Sequence, residues 1–198
     1  ELIFQNVSME FEKGNSYGFV GPNGCGKSVF FKTLCGYSLL TEGQVIYRGK
    51  IIGKEQDFID DAGIVIEEPE FINSLSGLEN LKILAEIQKK ISEAEIIEVL
   101  KQFDLYEDRN KKVGKYSVGM KQKLRLAQAV MEKPQVLILD EPMNGLDKKS
   151  VKKVEDILKA FVENGGILLM TSHIEQQVEA CCKIVYEIDG GEILRVTD

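Results

Sequence analysis

Short uninterrupted apolar runs alternate along this chain with stretches in which apolar residues recur every three or four positions. Val136-Leu137-Ile138-Leu139 and Ile167-Leu168-Leu169-Met170 are the plainest runs. A strand that is apolar at consecutive positions has both faces covered, as in a parallel sheet flanked by helices. Between the two runs, Val151, Val154, Ile157, Leu158 and Phe161 fall on one helical stripe, which Asn164-Gly165-Gly166 terminates. This spacing predicts a strand–helix–strand unit, and with it an α/β fold with a mainly parallel sheet.

The stretch from about 75 to 133 has a different character, with helical periodicity and no convincing strand. Ser76 with Glu79, and Ser92 with Glu95, both read as capping boxes at helix starts. Ile96, Ile97, Leu100 and Phe103 then form one apolar face, and Met120, Leu124, Ala127 and Met131 form another. The chain closes with an expected β-hairpin, residues 184–188 and 192–196 around Asp189-Gly190-Gly191. It opens on a strand-like stretch, Leu2-Ile3-Phe4-Gln5-Asn6-Val7, rather than on a signal peptide. Residue 1 is Glu, so material upstream is expected to be missing.

The candidate chemistry is densest at Gly21-Pro22-Asn23-Gly24-Cys25-Gly26-Lys27-Ser28, a complete phosphate-binding loop. It follows the apolar strand Tyr17-Gly18-Phe19-Val20 and runs into a helix expected at 29–35, which is the context the motif requires. Glycines let backbone fold closely around phosphate oxygens, and the helix points unpaired N–H groups and its positive dipole end at them. Lys27 is expected to reach the β- and γ-phosphates, and the Ser28 hydroxyl to bind Mg²⁺. A second site element ends the run Val136–Leu139, where Asp140 and Glu141 follow the C-terminal end of a buried strand. Ligands of open α/β sheets bind at that end. Asp140 suits the holding of Mg²⁺, and Glu141 suits a general base that orients or deprotonates attacking water.

Composition narrows the setting. The 198 residues are 43% hydrophobic, enough for one substantial domain, and 29% charged, which gives no sign of disorder. Net charge is −7, from 25 basic against 32 acidic residues, and nucleic-acid binders usually present a basic footprint. Lys111, Lys112, Lys115, Lys121, Lys123 and Arg125 form a local basic cluster that reads as a solvated face. The four cysteines show no metal-ligand spacing, and a reducing compartment is the simplest reading. The longest apolar runs fall far short of the ~20 residues of a membrane helix, so membrane association is expected to come through a partner.

The motifs together resemble the ABC-type ATPases, and the resemblance covers essentially the whole chain. Asp140-Glu141-Pro142 followed by Asn144-Gly145-Leu146-Asp147 is similar to that family's Walker B and D-loop. Tyr116-Ser117-Val118-Gly119-Met120 lies where the family carries its L-S-G-G-Q signature, and Thr171-Ser172-His173 where it has its switch histidine. The resemblance implies a P-loop NTPase core sheet with an N-terminal antiparallel portion and an α-helical subdomain. The core is then residues 1–74 and 134–198, and the helical subdomain about 75–133. It also implies an ATP-binding and ATP-hydrolysing subunit that couples head-to-tail dimer closure to a separate transmembrane permease. The dimer would be a homodimer or a pseudo-symmetric heterodimer, cytoplasmic and peripheral on the inner face of the cell membrane, with no nucleic acid expected.

By the same resemblance, Ser117 and Gly119 face the γ-phosphate held by the opposite subunit, while His173 contacts the γ-phosphate of its own. Two departures stand out. Tyr116, Val118 and Met120 differ from the signature. In Ile64-Val65-Ile66-Glu67-Glu68-Pro69, Glu67 occupies the place of the family's glutamine, which reaches Mg²⁺ and the attacking water. That E-x-P form, with Glu79-Asn80 downstream, is similar to the bacterial drug and bacteriocin export branch, including bacitracin-resistance ATPases. The family's adenine-stacking aromatic residue is expected upstream of Glu1, since Tyr17 lies too close to the loop. Two other readings stay open: a soluble ABC-type ATPase acting on nucleic acid or ribosomes, and a small-molecule P-loop kinase.

Overall fold

The computed structural model describes residues 3–67 and 70–196. The expected strand's Leu2 and the Glu68 and Pro69 of the loop motif lie outside the described residues. In chain order the elements are β1 (Ser16–Val20), α1 (Lys27–Cys35), β2 (Ile46–Tyr47), β3 (Lys50–Ile51) and β4 (Ala62–Val65), then α2 (Gly77–Gln88), α3 (Glu93–Gln102) and α4 (Val118–Val130). They continue with β5 (Val136–Leu139), α5 (Lys148–Glu163), β6 (Ile167–Thr171), α6 (Glu175–Cys181), β7 (Ile184–Asp189) and β8 (Glu192–Arg195). Six strands form one sheet in the order β4-β5-β6-β1-β7-β8. Every neighbouring pair in it is parallel except the β7–β8 hairpin, while β2 and β3 form a separate antiparallel ladder.

Alternation along the strands sends side chains to two packed faces. Tyr17 and Phe19 of β1, Val136 and Ile138 of β5, and Leu169 of β6 meet Phe30, Phe31 and Cys35 of α1 on one side. Leu137 and Leu139, with Leu168 and Met170, face the other side and join the buried residues of α2 to α6. The apolar runs are therefore continuous because helices cover both faces. Where the second face leaves no room, the strand carries glycine. A Cβ on Gly18 would stand 2.1 Å from Cγ1 of Val178 in α6. One on Gly63 would stand 1.9 Å from the carbonyl oxygen of Ala129 in α4.

The helices start where the chain carries their caps. Ser76 and Ser92 each accept from the N3 backbone N–H while Glu79 and Glu95 reach back, completing both capping boxes. Glu95 also accepts from Lys133 just beyond α4, and these bonds hold its carboxyl down at about 2. Asp147 caps α5, and Ser117 caps α4. Cys181 ends α6, and it and Cys182 are buried.

Two expectations at the N-terminal side change. Among the described residues, 3–7 form no strand: Gln5 donates to the Gly191 carbonyl at 3.3 Å, but Asn6 turns away at a φ of 57°. The antiparallel portion in the first third of the chain is instead the β2–β3 ladder. Strands β2, β3 and β4 are additions to the sequence reading.

The Gly63 contact is with backbone, which cannot rotate away. Gly63→Ala is expected to destabilise the fold by about 1–3 kcal/mol through overpacking of β4 against α4, measured as a lower urea midpoint. An unchanged midpoint would show that α4 does not pack on β4 this closely.

Candidate functional site

Parallel pairing sets the C-terminal ends of β5, β6 and β1 side by side, and the candidate residues emerge from these ends. The phosphate loop leaves β1 and enters α1 at Gly26, whose φ is 105°. No side chain caps α1 and no acid sits in its first turn, so its positive end stays open to an anion. Lys27 is buried, with its ammonium inside the loop, donating to the carbonyls of Gly21 at 2.8 Å and Pro22 at 3.0 Å. A Cβ on Gly24 would meet nothing within 4 Å, so the outer side of the loop is open.

Asp140 is held from two sides. The Ser28 hydroxyl donates to its Oδ2 at 2.5 Å, and the Thr171 hydroxyl donates to its Oδ1 at 2.6 Å. Thr171 Oγ1 in turn accepts from the Glu141 N–H at 2.9 Å. Glu141 takes a φ of 49°, a left-handed conformation uncommon outside glycine. Its carbonyl and that of Pro142 accept from the buried Gln122 amide of α4, at 3.4 and 2.8 Å. Its carboxylate Oε2 lies 2.8 Å from Nδ1 of His173. An ionised carboxylate only accepts, so Nδ1 carries the donated proton in that pair.

Ser28, Asp140, Glu141 and His173 thus form one connected network, with Lys27 beside it in the loop. Three sequence candidates, Glu67, Ser117 and Gly119, stand outside this network. Glu67 pairs with Lys32 of α1, at 2.5 Å, one helical turn beyond Ser28. Ser117 has its hydroxyl occupied by the N–H of Met120, and with Val118 it is exposed at the start of α4. Gly119 lies against the D-loop, where an added Cβ would stand 2.9 Å from the Gly145 carbonyl. Of the basic cluster, Arg125 does not belong to a solvated face: it is buried and donates to Gln122 at 3.1 Å.

Sequence reading assigned no part to Thr171, Gln122 or Lys32. Thr171 ends an apolar run, where a hydroxyl is the only signal. Gln122 lies on the inward stripe of a helix, where a buried amide requires partners. Lys32 shares a face of α1 with Ser28 at i, i+4 spacing.

The donor set fits a hard cation. Ser28 and Asp140 offer a hydroxyl and a carboxylate, and Mg²⁺ characteristically takes one or two carboxylates together with phosphate oxygens and water. Among the described residues, no group of three His, Cys, Asp or Glu could hold a metal by itself. No helix among them is long and apolar enough to cross a membrane.

A family model described as ABC transporter matches residues 4–144. The ABC transporter ATP-binding protein YybJ of Bacillus subtilis, itself uncharacterized, is 37% identical over 96% of this chain and 88% of its own length. A bacitracin transport ATP-binding protein of Enterococcus faecalis is 31% identical over 97% of this chain, which spans 63% of that longer relative. Among solved structures, an ATP-binding subunit of an ABC transporter superposes with a TM-score of 0.88 at 24% identity, over 98% of this chain and 83% of its own. That likeness establishes the fold.

Proposed function

The chain belongs to the ABC transporter family as an ATP-binding protein, and from that premise we propose that it hydrolyses ATP in a site completed by a second copy of itself. The observation that carries this reading is the division of its motifs. Lys27, Ser28, Asp140, Glu141 and His173 gather at adjoining strand ends, while Ser117 and Gly119 stand apart at the exposed start of α4. One chain carries both kinds of part, so two copies set head to tail can complete two sites.

In this site Lys27 and the open end of α1 bind the β- and γ-phosphates. Ser28 and Asp140 would hold Mg²⁺, which supplies charge neutralisation at the phosphates when bound. Glu141 orients and deprotonates the attacking water, and His173 hydrogen-bonds the carboxylate that does so. The partner's Ser117 hydroxyl and the N–H groups at the start of its α4 cap the γ-phosphate. Glu67 pairs with Lys32, which lies one helical turn beyond Ser28 on α1, and its carboxylate would be a further oxygen ligand for the metal if released from Lys32.

The work of hydrolysis passes to a transmembrane partner, with this chain peripheral on the cytoplasmic side of the membrane. The family and the bacitracin transport relative favour transport over the nucleic-acid and kinase alternatives. Docking is supported by a cavity of about 220 Å³ between edge strand β4 and the ends of α2 and α4. The exposed Tyr37 and Ile87 stand at its wall. A short amphipathic helix of the membrane subunit fits such a groove. We divide the chain accordingly into a core of 1–74 and 134–198 and a helical subdomain of about 75–133, which meet at this groove.

Glu141→Gln is expected to abolish ATP hydrolysis while retaining ATP binding, and to accumulate an ATP-dependent dimer by analytical ultracentrifugation. A variant that turns over ATP at the wild-type rate would remove Glu141 from the role of base. In the groove, Ile87→Glu is expected to weaken co-purification with the membrane subunit by at least about tenfold, since it replaces an exposed apolar side chain at the wall with a charge. Undiminished co-purification would place the docking surface elsewhere.

A further inference from the structure

Thr171 is the last residue of β6, between the strand that delivers the phosphate loop and the strand that delivers the two acids. It is fully buried. Its single hydroxyl proton goes to Asp140 Oδ1, and its oxygen accepts the N–H of Glu141. One side chain therefore fixes the carboxylate of the first acid and the backbone of the second. The second bond matters because Glu141 has a left-handed backbone, which a non-glycine residue keeps only where its surroundings hold it there. On the carbonyl side that backbone is held by the Gln122 amide and by the Asn144 N–H.

We infer that Thr171 is a positioning residue for hydrolysis, setting the metal-holding carboxylate of Asp140 and the aim of Glu141 through one hydroxyl. The inference rests on the nucleotide-hydrolysis reading above. Asp140 Oδ2 takes the Ser28 hydroxyl, so the bond from Thr171 to Oδ1 decides how the carboxylate is turned about its axis. Without that bond the group can rotate away from Ser28. Glu141 loses its N–H partner at the same time and can relax toward an ordinary backbone, taking its carboxylate off His173. Metal coordination and base orientation then fail together, both through the one hydroxyl.

The test compares Thr171→Val, which keeps the shape and removes the hydroxyl, with Thr171→Ser, which keeps the hydroxyl and removes the methyl. Affinity for a non-hydrolysable ATP analogue is measured on the full chain with Mg²⁺ and with EDTA, alongside kcat for ATP. The Val variant is expected to bind the analogue in EDTA within about twofold of wild type and to lose about tenfold of the Mg²⁺ enhancement, with kcat falling at least as far. The Ser variant is expected to keep both within about threefold. A Val variant with wild-type Mg²⁺ enhancement and kcat would overturn the inference. So would a Ser variant that loses the Mg²⁺ enhancement, since packing by the methyl group would then be the cause. The Ser arm decides alone if the Val variant does not fold. Wild-type protein that binds no nucleotide in either condition would overturn the nucleotide reading itself, and this inference with it.

Discussion

Asp140 has both carboxylate oxygens committed, one to Ser28 and one to Thr171, and the site is organised around that constraint. The partners come from the start of α1 and the end of β6, 112 and 31 residues away in the chain. They meet because β5, β6 and β1 are neighbours and run the same way, which brings their C-terminal ends to one edge. An antiparallel order would place one of the three groups at the far end of the sheet. The helices that cover both faces, and the glycines that admit them, keep this edge in register.

Much of this was legible from residue types alone. The phosphate loop declares itself because phosphate binding needs glycine, lysine and a hydroxyl at set spacing. β5 and β6 are legible because burial on both faces leaves no polar position. Both capping boxes are legible because a serine and a glutamate three apart satisfy each other's backbone donors. β4 was missed because its four residues include a glycine, required by the close approach of α4, and because it passes directly into the loop carrying Glu67. Residues 3–7 misled in the opposite direction, since apolar character there serves packing on α1 through Phe4 rather than strand pairing.

The site was legible as a list of residues and less so as a mechanism. Asp140, Glu141 and His173 were expected near the phosphates, but the hydrogen bond that joins His173 to Glu141 is a matter of geometry. Thr171 and Gln122 act through backbone groups of Glu141, and no spacing rule connects residues 30 and 19 positions from their partner. Glu67 shows the same limit. Its carboxylate chemistry was readable as a possible metal contact, whereas its pairing with Lys32 depends on how the β4 loop crosses α1.

The division of parts is what the proposal of a site shared between two copies rests on. Asp140 is bonded to Ser28 of the phosphate loop within the chain, and the start of α4 lies exposed beside the D-loop. Mixing two defective variants tests this most directly. Lys27→Ala disables the phosphate loop and Ser117→Arg disables the start of α4, so each alone is expected to be inactive. Mixed in equal amounts and allowed to exchange, they form heterodimers with one intact site, and ATPase activity is expected to recover to about a quarter of wild type. A mixture as inactive as its components, or a Ser117→Arg protein that is active by itself, would contradict a site shared between two copies.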